Sequence, residues 1–273
     1  MSLRSRLQLR RPSLQAGYEE ALRAAFAAQP LRPAAPLAEP ELAHLPAPVQ
    51  RYLRRAGAMG RPRPQNVRIE FAARMWSKPG ASPMVATSVQ HNFLADPTRL
   101  FHMRARMFGL PVQVFHAYAG EQATMRVRVA SLFDMVDLSG DELSTGETVT
   151  VLNDTCFFAP GALVDPRLTW TPLDDRTAAV TFVNGRRRVS ATLHFNGRDE
   201  LVDFTSDDRA ALLPDGTLRR HRWSTPADRY REIGGRWIAS HAAAVYAYPE
   251  GDFTYGDFTV RSVAWDVAGP AGR

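Results

Sequence analysis

The sequence lacks most of the features that fix a protein's compartment. It contains one cysteine, Cys156, so no disulfide can form within the chain and a disulfide-stapled secreted fold is excluded. No run of about 18 apolar residues is present, so no helix is predicted to span a bilayer. Arginines interrupt the opening stretch MSLRSRLQLRRPSLQAGYEE, which therefore lacks the apolar core of a secretory signal. These absences predict a cytoplasmic protein.

The common catalytic and cofactor-binding motifs are also missing. There is no GxSxG nucleophile elbow, no GxxxxGK[ST] phosphate loop and no GxGxxG fingerprint. The seven histidines form neither HxH nor HExxH, so the sequence contains no dedicated zinc motif. Cys156 stands in an apolar stretch, where burial makes a thiol inert. We therefore expect no metal and no cofactor, and an enzyme is the less favoured class.

Positive charge is concentrated near the N-terminus. Residues 1–63 hold eleven arginines and four glutamates, a net charge of +7, which leaves −1 for the rest of a chain whose total is +6. Nucleic-acid-binding surfaces usually combine basic and aromatic residues on one face. Lys78 is the only lysine, so the arginine excess also fits a coding bias. A solvated basic tail is the favoured interpretation and nucleic-acid binding is not expected. The alternative is an arm that binds an anionic partner.

An N-terminal helix and a proline-rich linker are predicted before the main domain. Over residues 13–28, Leu14, Tyr18, Leu22 and Phe26 recur at a spacing of four and form one apolar stripe. This stripe favours docking on the protein's own body, although the neighbouring arginines also allow peripheral contact with a membrane. Six prolines then exclude a regular element from the linker. The predicted division is 1–44 for helix and linker and 45–267 for a single β-rich domain.

From Val67 onward, apolar and polar residues alternate with a period of two, which is typical of strands with one buried face. Five strands are predicted up to residue 129, and a second set follows from residue 168. Residues near 144–165 break the alternation and predict a helical insert. The fold class is mainly β (α+β), with a curved antiparallel sheet or half-barrel whose concave face is covered by helices. Such an arrangement commonly leaves an apolar pocket.

Several strings resemble a bacterial family of unknown function. They are LPAPVQRYLRRAG (45–57), LNDTCFFAPGALVDPRLTW (152–170), TSDDRA (205–210), WSTPADRYRE (223–232) and PEGDFTYGDF (249–258). The resemblance covers most of residues 45–267 and implies no catalytic residues. The predicted architecture is also similar to the periplasmic lipoprotein-carrier fold, in which helices close a half-barrel over an apolar cavity.

These observations leave three hypotheses open. The first is non-enzymatic binding of an apolar or amphipathic, lipid-like ligand between sheet and helices. The second is an enzyme that uses Asp154 with Asp207 or Asp208 as acid and base. The third is an interaction module with a basic N-terminal arm. The candidate ligand-binding residues are Asn153, Asp154, Phe157, Asp207, Arg209, Trp223, Tyr230 and Tyr255.

Overall fold

The computed structural model describes residues 13–130, 133–213 and 216–270. In these ranges most of the chain belongs to one antiparallel sheet of fourteen strands. The first run comprises β1 (Asn66–Met75), β2 (Met84–Phe93), β3 (Thr98–Met107), β4 (Leu110–Ala119), β5 (Gln122–Val129) and β6 (Phe133–Ser139). The helices are α1 (Leu14–Ala28), α2 (Ala47–Arg55) and α3 (Asp141–Phe158).

The second run of strands follows α3. It comprises β7 (Leu168–Pro172), β8 (Thr177–Asn184), β9 (Arg187–Phe195), β10 (Leu201–Ser206), β11 (Ala210–Leu212), β12 (Leu218–Arg220), β13 (Arg222–Ser224), β14 (Ala227–Ile233), β15 (Arg236–Tyr248) and β16 (Gly251–Trp265). Strands β11 and β12 form a separate hairpin, whereas β16 pairs with β1 and joins the two runs into one sheet. The expected fold class, a curved antiparallel sheet with helices over its concave face, is confirmed.

Helix α3 lies on the concave face and is buried along most of its length. At its N-terminal end, Ser144 accepts a hydrogen bond from the backbone N–H of Ala123 at 2.9 Å. At its C-terminal end, the indole of Trp265 donates to the carbonyl of Phe158 at 2.7 Å. Helix α2 packs beside it, and the hydroxyl of Tyr52 donates to the carbonyl of Cys156 at 2.7 Å. Helix α3 is therefore fixed to both strand runs, through β5 of the first and β16 of the second.

Helix α1 packs on the opposite, convex face of the sheet. This confirms the prediction that the N-terminal helix docks on the protein's own β-rich domain. Its apolar stripe buries Leu14, Tyr18 and Leu22 against Phe93 and other side chains of β2–β4. The side chain of Ser13 caps the helix by accepting the N–H of Ala16 at 3.0 Å. Since this stripe is buried, it is not free to rest on a membrane. Residues 1–12, which carry part of the predicted basic arm, lie outside the described ranges.

Two details of the sequence prediction were wrong. The segment after residue 130 contains an additional edge strand, β6, whose Asp134 and Asp137 lie opposite Arg128 and Arg126 of β5. The helical insert begins at Asp141 rather than 144. It ends as an α-helix at Phe158 because Pro160 has no N–H to donate, and a 3-10 helix continues over Pro160–Val164.

The predicted linker packs on the domain and contains a regular element that its prolines were expected to exclude. Leu37 and Leu42 are buried in the main core, and a short 3-10 helix spans Glu39–Leu42. Among the helices in the described ranges, none combines the length and the apolar character needed to cross a bilayer.

The contact between α1 and the sheet predicts a pH-dependent stability. The hydroxyl of Tyr18 lies 2.7 Å from Nδ1 of His91, and burial lowers the pKa of His91 to about 4. In the unfolded chain, His91 binds a proton as the pH falls below its ordinary pKa of about 6.5. In the folded protein, His91 binds that proton only when the pH falls to about 4. Stability is therefore lost as the pH falls through this window.

We expect His91 to account for a loss of roughly 2 kcal/mol between pH 7 and pH 5. Urea unfolding of His91→Gln at both pH values should show a correspondingly smaller loss than the unsubstituted protein. His44→Gln is the matched control because His44 is exposed. Equal pH dependence in all three proteins would contradict the assignment.

Candidate functional site

A cavity of about 360 Å³ lies between α3 and the concave face of the sheet. Apolar side chains form most of its wall. They include Phe71, Met75, Phe101, Met103, Val114, Met125, Val127, Leu138, Phe157, Phe158, Phe258 and Val260. The volume falls within the range of about 300–1,000 Å³ that is usual for ligand pockets. The cavity is therefore large enough for a small organic molecule with an apolar body.

A buried cluster of charged side chains lies on the α3 side of this cavity. Arg99 of β3 donates through Nε to Asp154 at 2.8 Å and through one terminal nitrogen to Glu147 at 3.1 Å. Glu147 and Asp154 are seven residues apart on α3, so both point at the sheet from the same face of the helix. The side chains of Arg99, Glu147 and Asp154 are each at most 10% exposed. The cluster therefore binds the helix to the sheet in a region with little water.

Amides on the neighbouring strand complete the coordination of Asp154. Gln90 of β2 donates to Asp154 at 2.7 Å and accepts from Arg99 at 2.8 Å. Asn92, two residues further along the same strand, donates to Asp154 at 3.3 Å. Because a buried carboxylate without donors is costly, these amides make an ionised Asp154 tolerable inside the protein.

Arg209 approaches the same cluster from the other half of the sheet. Its guanidinium donates to the hydroxyl groups of Tyr246 at 2.6 Å and Tyr255 at 3.2 Å, and it reaches Glu147 at 3.3 Å. The guanidinium also stacks over the ring of Trp223, 4.7 Å from its centroid. The donors of Arg209 are thus largely occupied by protein groups, and the arginine serves to position the aromatic wall.

The electrostatics of the cluster differ between its two carboxylates. Burial opposes the ionisation of Glu147, but His116, Arg99 and Arg209 outweigh it and lower its pKa to about 2. Burial raises the pKa of Asp154 despite the opposing field of Arg99. Burial also lowers the pKa of His116 to about 4, so its imidazole is neutral at pH 7. With both carboxylates ionised, the charges of Arg99, Arg209, Glu147 and Asp154 sum to zero.

Among the described residues of the cavity wall, three buried polar atoms have no hydrogen-bond partner. They are the amide nitrogen of Asn153, the hydroxyl of Thr225 and Nε2 of His116, which lies 3.5 Å from Oε1 of Glu147 without forming a hydrogen bond. Asn153 is 5% exposed and Thr225 is 7% exposed. Buried polar groups normally have partners, because each unpaired group costs about 1–3 kcal/mol. These groups are therefore the natural contacts for the polar part of a bound molecule.

The structure brings most of the predicted site residues to the cavity. Asn153, Asp154, Phe157, Arg209, Trp223 and Tyr255 all line it. Tyr230 lies elsewhere, where its hydroxyl donates to the carbonyl of Leu201 at 2.6 Å. Asp207 is exposed and forms an ion pair with Arg222 at 3.0 Å. The structure therefore does not bring Asp207 and Tyr230 to this cavity, and each has its own structural partner outside it.

The proposed acid–base pair does not form. Asp208 accepts the backbone N–H of Ser190 at 2.8 Å, and Asp207 points to Arg222 at the surface. Neither aspartate lines the cavity that contains Asp154. The hypothesis of catalysis by Asp154 with Asp207 or Asp208 was therefore wrong. Within the described ranges, no group of three or more histidine, cysteine or acidic side chains is placed to hold a metal ion.

Sequence reasoning missed several polar members of the site, among them Gln90, Arg99, His116 and Glu147. One signal was available for Glu147. Glu147, Thr150 and Asp154 follow a spacing of three and four along α3, which places polar groups on a helix face that is otherwise apolar. The three strand residues carried no comparable signal, since polar residues alternate along every strand of the first run.

The ion cluster predicts that substitutions of two arginines on the same strand differ greatly in their effect on stability. Arg99→Met leaves Glu147 and Asp154 without their shared cation in a buried site, and we expect it to cost about 3–5 kcal/mol of stability. Arg104→Met, at an exposed position of β3, should change stability by about 0.5 kcal/mol or less. Chemical unfolding of both variants measures the difference. A similar small effect for both would show that the cluster behaves as a surface ion pair.

Comparisons with known proteins give a family and a set of distant structures. The chain is similar to a putative outer membrane lipoprotein-sorting protein domain from Vibrio parahaemolyticus, with 8% identity, 75% of this chain and 87% of that chain covered, and a TM-score of 0.39. It is similar to a LolA superfamily protein from Nitrosomonas europaea, with 10% identity, coverage of 79% and 92%, and a TM-score of 0.39.

A DUF1329 family protein from Desulfovibrio piger has 13% identity, coverage of 82% and 94%, and a TM-score of 0.36. Likenesses of this size carry no argument about function. No protein of curated function matches the sequence. Residues 35–258 match a family of unknown function, and because this match spans most of the chain, the protein belongs to that family (DUF6544).

Proposed function

We propose that this protein binds one small amphipathic, lipid-like molecule in the cavity between α3 and the concave face of the sheet. The observation that carries the proposal is the combination of an apolar wall with unpaired buried polar groups at Asn153 and Thr225. The protein's own side chains satisfy neither this apolar surface nor these polar groups. A molecule with an apolar body and a polar group satisfies both.

The polar part of the ligand is proposed to be uncharged. The two arginines and two carboxylates of the wall already balance one another, and Arg209 donates to Tyr246, Tyr255, Thr150 and Glu147. An additional formal charge in this wall would have no free counter-ion and would bear the full cost of desolvation. The groups left without partners are a neutral amide, a neutral imidazole and a hydroxyl. They suit an ester, hydroxyl or amide group.

The apolar part of the ligand is proposed to lie along the methionines of β1, β3 and β5. Met75, Met103 and Met125 line the cavity from three strands. Methionine side chains are unbranched and polarisable, so they adapt to apolar ligands of different shape. This flexible lining favours alkyl chains that fit the volume of the cavity, and it does not require one particular ligand shape.

Filling the cavity should abolish binding. Val114 lines the cavity, and Val114→Trp places a large ring in the space of the ligand. We expect binding of the uncharged fluorescent probe N-phenyl-1-naphthylamine to weaken about tenfold or more, equivalent to about 1.4 kcal/mol. Val183→Trp is the matched control, because Val183 is an exposed strand residue outside the cavity.

Far-UV circular dichroism and thermal unfolding establish that both variants are folded. Native mass spectrometry of the purified protein should also detect a retained small molecule in the unsubstituted chain and not in Val114→Trp. Undiminished probe binding by a folded Val114→Trp variant would contradict the proposal.

Replacing Asn153 should raise the stability of the protein and lower its affinity for the ligand. Asn153→Leu removes an unpaired buried amide, so we expect stability to rise by about 1 kcal/mol. The same change removes a hydrogen-bonding group for the ligand, so monolauroylglycerol should displace N-phenyl-1-naphthylamine less well. In the unsubstituted protein, monolauroylglycerol should compete better than laurate at neutral pH. Stronger competition by laurate would show that the polar subsite takes an anion.

A further inference from the structure

The strongly exposed apolar residues of the first strand run lie together at one end of the sheet. Phe108 is 99% exposed, and it is accompanied by Val85 (73%), Phe133 (66%), Met135 (64%) and Leu110 (50%). We call these five residues the rim. Single exposed apolar residues are ordinary, but a contiguous group of this kind marks a site of interaction.

The strand register places the rim residues next to one another. Phe108 occupies the turn between β3 and β4, and Leu110 pairs with Met107 directly beside it. Val112, two residues beyond Leu110, pairs with Val129, which in turn pairs with Phe133. On the other side, Val85 is paired with Arg74 at the end of β1. The rim is thus a continuous edge formed by the ends of β2–β6.

The conformation of Phe108 gives no structural reason for an aromatic residue. Its φ is +50° and that of Gly109 is +80°, as in the two-residue hairpin turns that favour Asn-Gly. A bulky residue is unusual in this region because its Cβ is crowded there. Since the Phe108 ring is almost fully exposed, its packing does not stabilise the fold. The turn therefore presents the ring outward at a cost to the folded protein.

Positive charge surrounds the rim. Arg74, Lys78, Arg104 and Arg106 are exposed at this end of the sheet, and none of them forms an ion pair with a carboxylate of the described residues. The carboxylates of β6 do not cancel this charge, since Asp134 and Asp137 lie opposite Arg128 and Arg126.

Asp257 of β16 lies opposite Arg74, but its carboxylate contacts Nε2 of His241 at 3.1 Å. Glu250 and Asp252 stand at the tip of the β15–β16 hairpin. Strands β1 and β2 separate this tip from β3. At about 4.8 Å per strand, the separation is roughly 14 Å. It exceeds the Debye length of about 8 Å at physiological ionic strength, so Glu250 and Asp252 do not offset the charge of Arg104 and Arg106.

The rim also continues into the cavity. Met103 and Val127 line the cavity and belong to the same apolar cluster as Met84 and Met107, which lie next to the rim. A molecule that enters or leaves at this end therefore meets apolar side chains without interruption.

We propose that the rim docks on the surface of an anionic lipid bilayer, with Phe108 and its neighbours entering the interface and the four basic residues facing lipid headgroups. Protruding apolar residues flanked by lysine and arginine are the combination that binds such surfaces. The inference goes beyond the proposed function, because the rim lies outside the cavity and docking does not require an occupied cavity. It also assigns membrane contact to residues other than the N-terminal arginines.

Vesicle co-sedimentation of the full chain tests this inference. Vesicles of phosphatidylglycerol and phosphatidylcholine should bind the protein more tightly than vesicles of phosphatidylcholine alone. Phe108→Asn keeps a favourable turn residue, so the variant should fold normally, yet its vesicle binding should weaken about tenfold. Leu173→Asn is the matched control, because Leu173 is an exposed apolar residue beside the opposite edge strand, β7.

A charge pair of variants tests the basic residues. Arg104→Gln combined with Arg106→Gln should weaken binding to the anionic vesicles by about fivefold per arginine. Arg188→Gln combined with Arg261→Gln makes the same change in net charge at exposed positions elsewhere and should have a much smaller effect.

Two results would overturn the inference. One is vesicle binding by Phe108→Asn equal to that of the unsubstituted protein. The other is a loss of binding in Arg10→Gln combined with Arg11→Gln while the rim variants bind normally. Binding of N-phenyl-1-naphthylamine in solution, measured on the same proteins, separates the two proposals. Vesicle binding without probe binding would refute the cavity ligand and leave the docking surface supported.

Discussion

The contact between Arg99 and the two carboxylates of α3 is the interaction on which the site depends. A helix that lies across a curved sheet can slide or rotate as long as its contacts are apolar and non-directional. Arg99 removes this freedom, because its guanidinium bridges Glu147 and Asp154, two turns apart on the helix. Buried ion pairs of this kind contribute little net stability relative to apolar packing, but breaking one is costly. We interpret the cluster as a device that fixes the position of α3.

The fixed helix determines where the cavity can exist. Helix α3 contacts the start of β5 through Ser144 and the end of β16 through Phe158, and it leaves the opposite ends of β1–β5 uncovered. The sheet curves towards the helix, so the uncovered part becomes a hollow rather than a flat surface. The sheet by itself cannot cover the apolar residues of this hollow. Binding in the cavity and docking at the rim are thus two consequences of one helix that covers only part of a concave face.

Several elements could be predicted from local patterns, and the failures have a common cause. The strands from Val67 to Val129 were visible because alternation with a period of two is a property of neighbouring residues. Edge strand β6 was missed because a register shift interrupts its alternation with a period of two. Asp134 and Asp137 are three residues apart, yet both lie on the same face of the sheet, opposite Arg128 and Arg126 of β5. Asp207 was assigned to the site because it follows a strand near Arg209, yet its side chain turns to Arg222. Tyr230 was assigned for its residue type, although its hydroxyl has a backbone partner at Leu201.

The sequence by itself determined the fold class, the docking stripe of α1 and the helical character of the insert. Each of these follows from interactions between residues that are close along the chain. Tertiary structure alone decided the membership of the site. Arg99 is 48 residues from Glu147, Gln90 is 64 residues from Asp154, and Arg209 is 62 residues from Glu147. Their meeting depends on the curvature of the whole sheet and the placement of α3, which no local periodicity encodes.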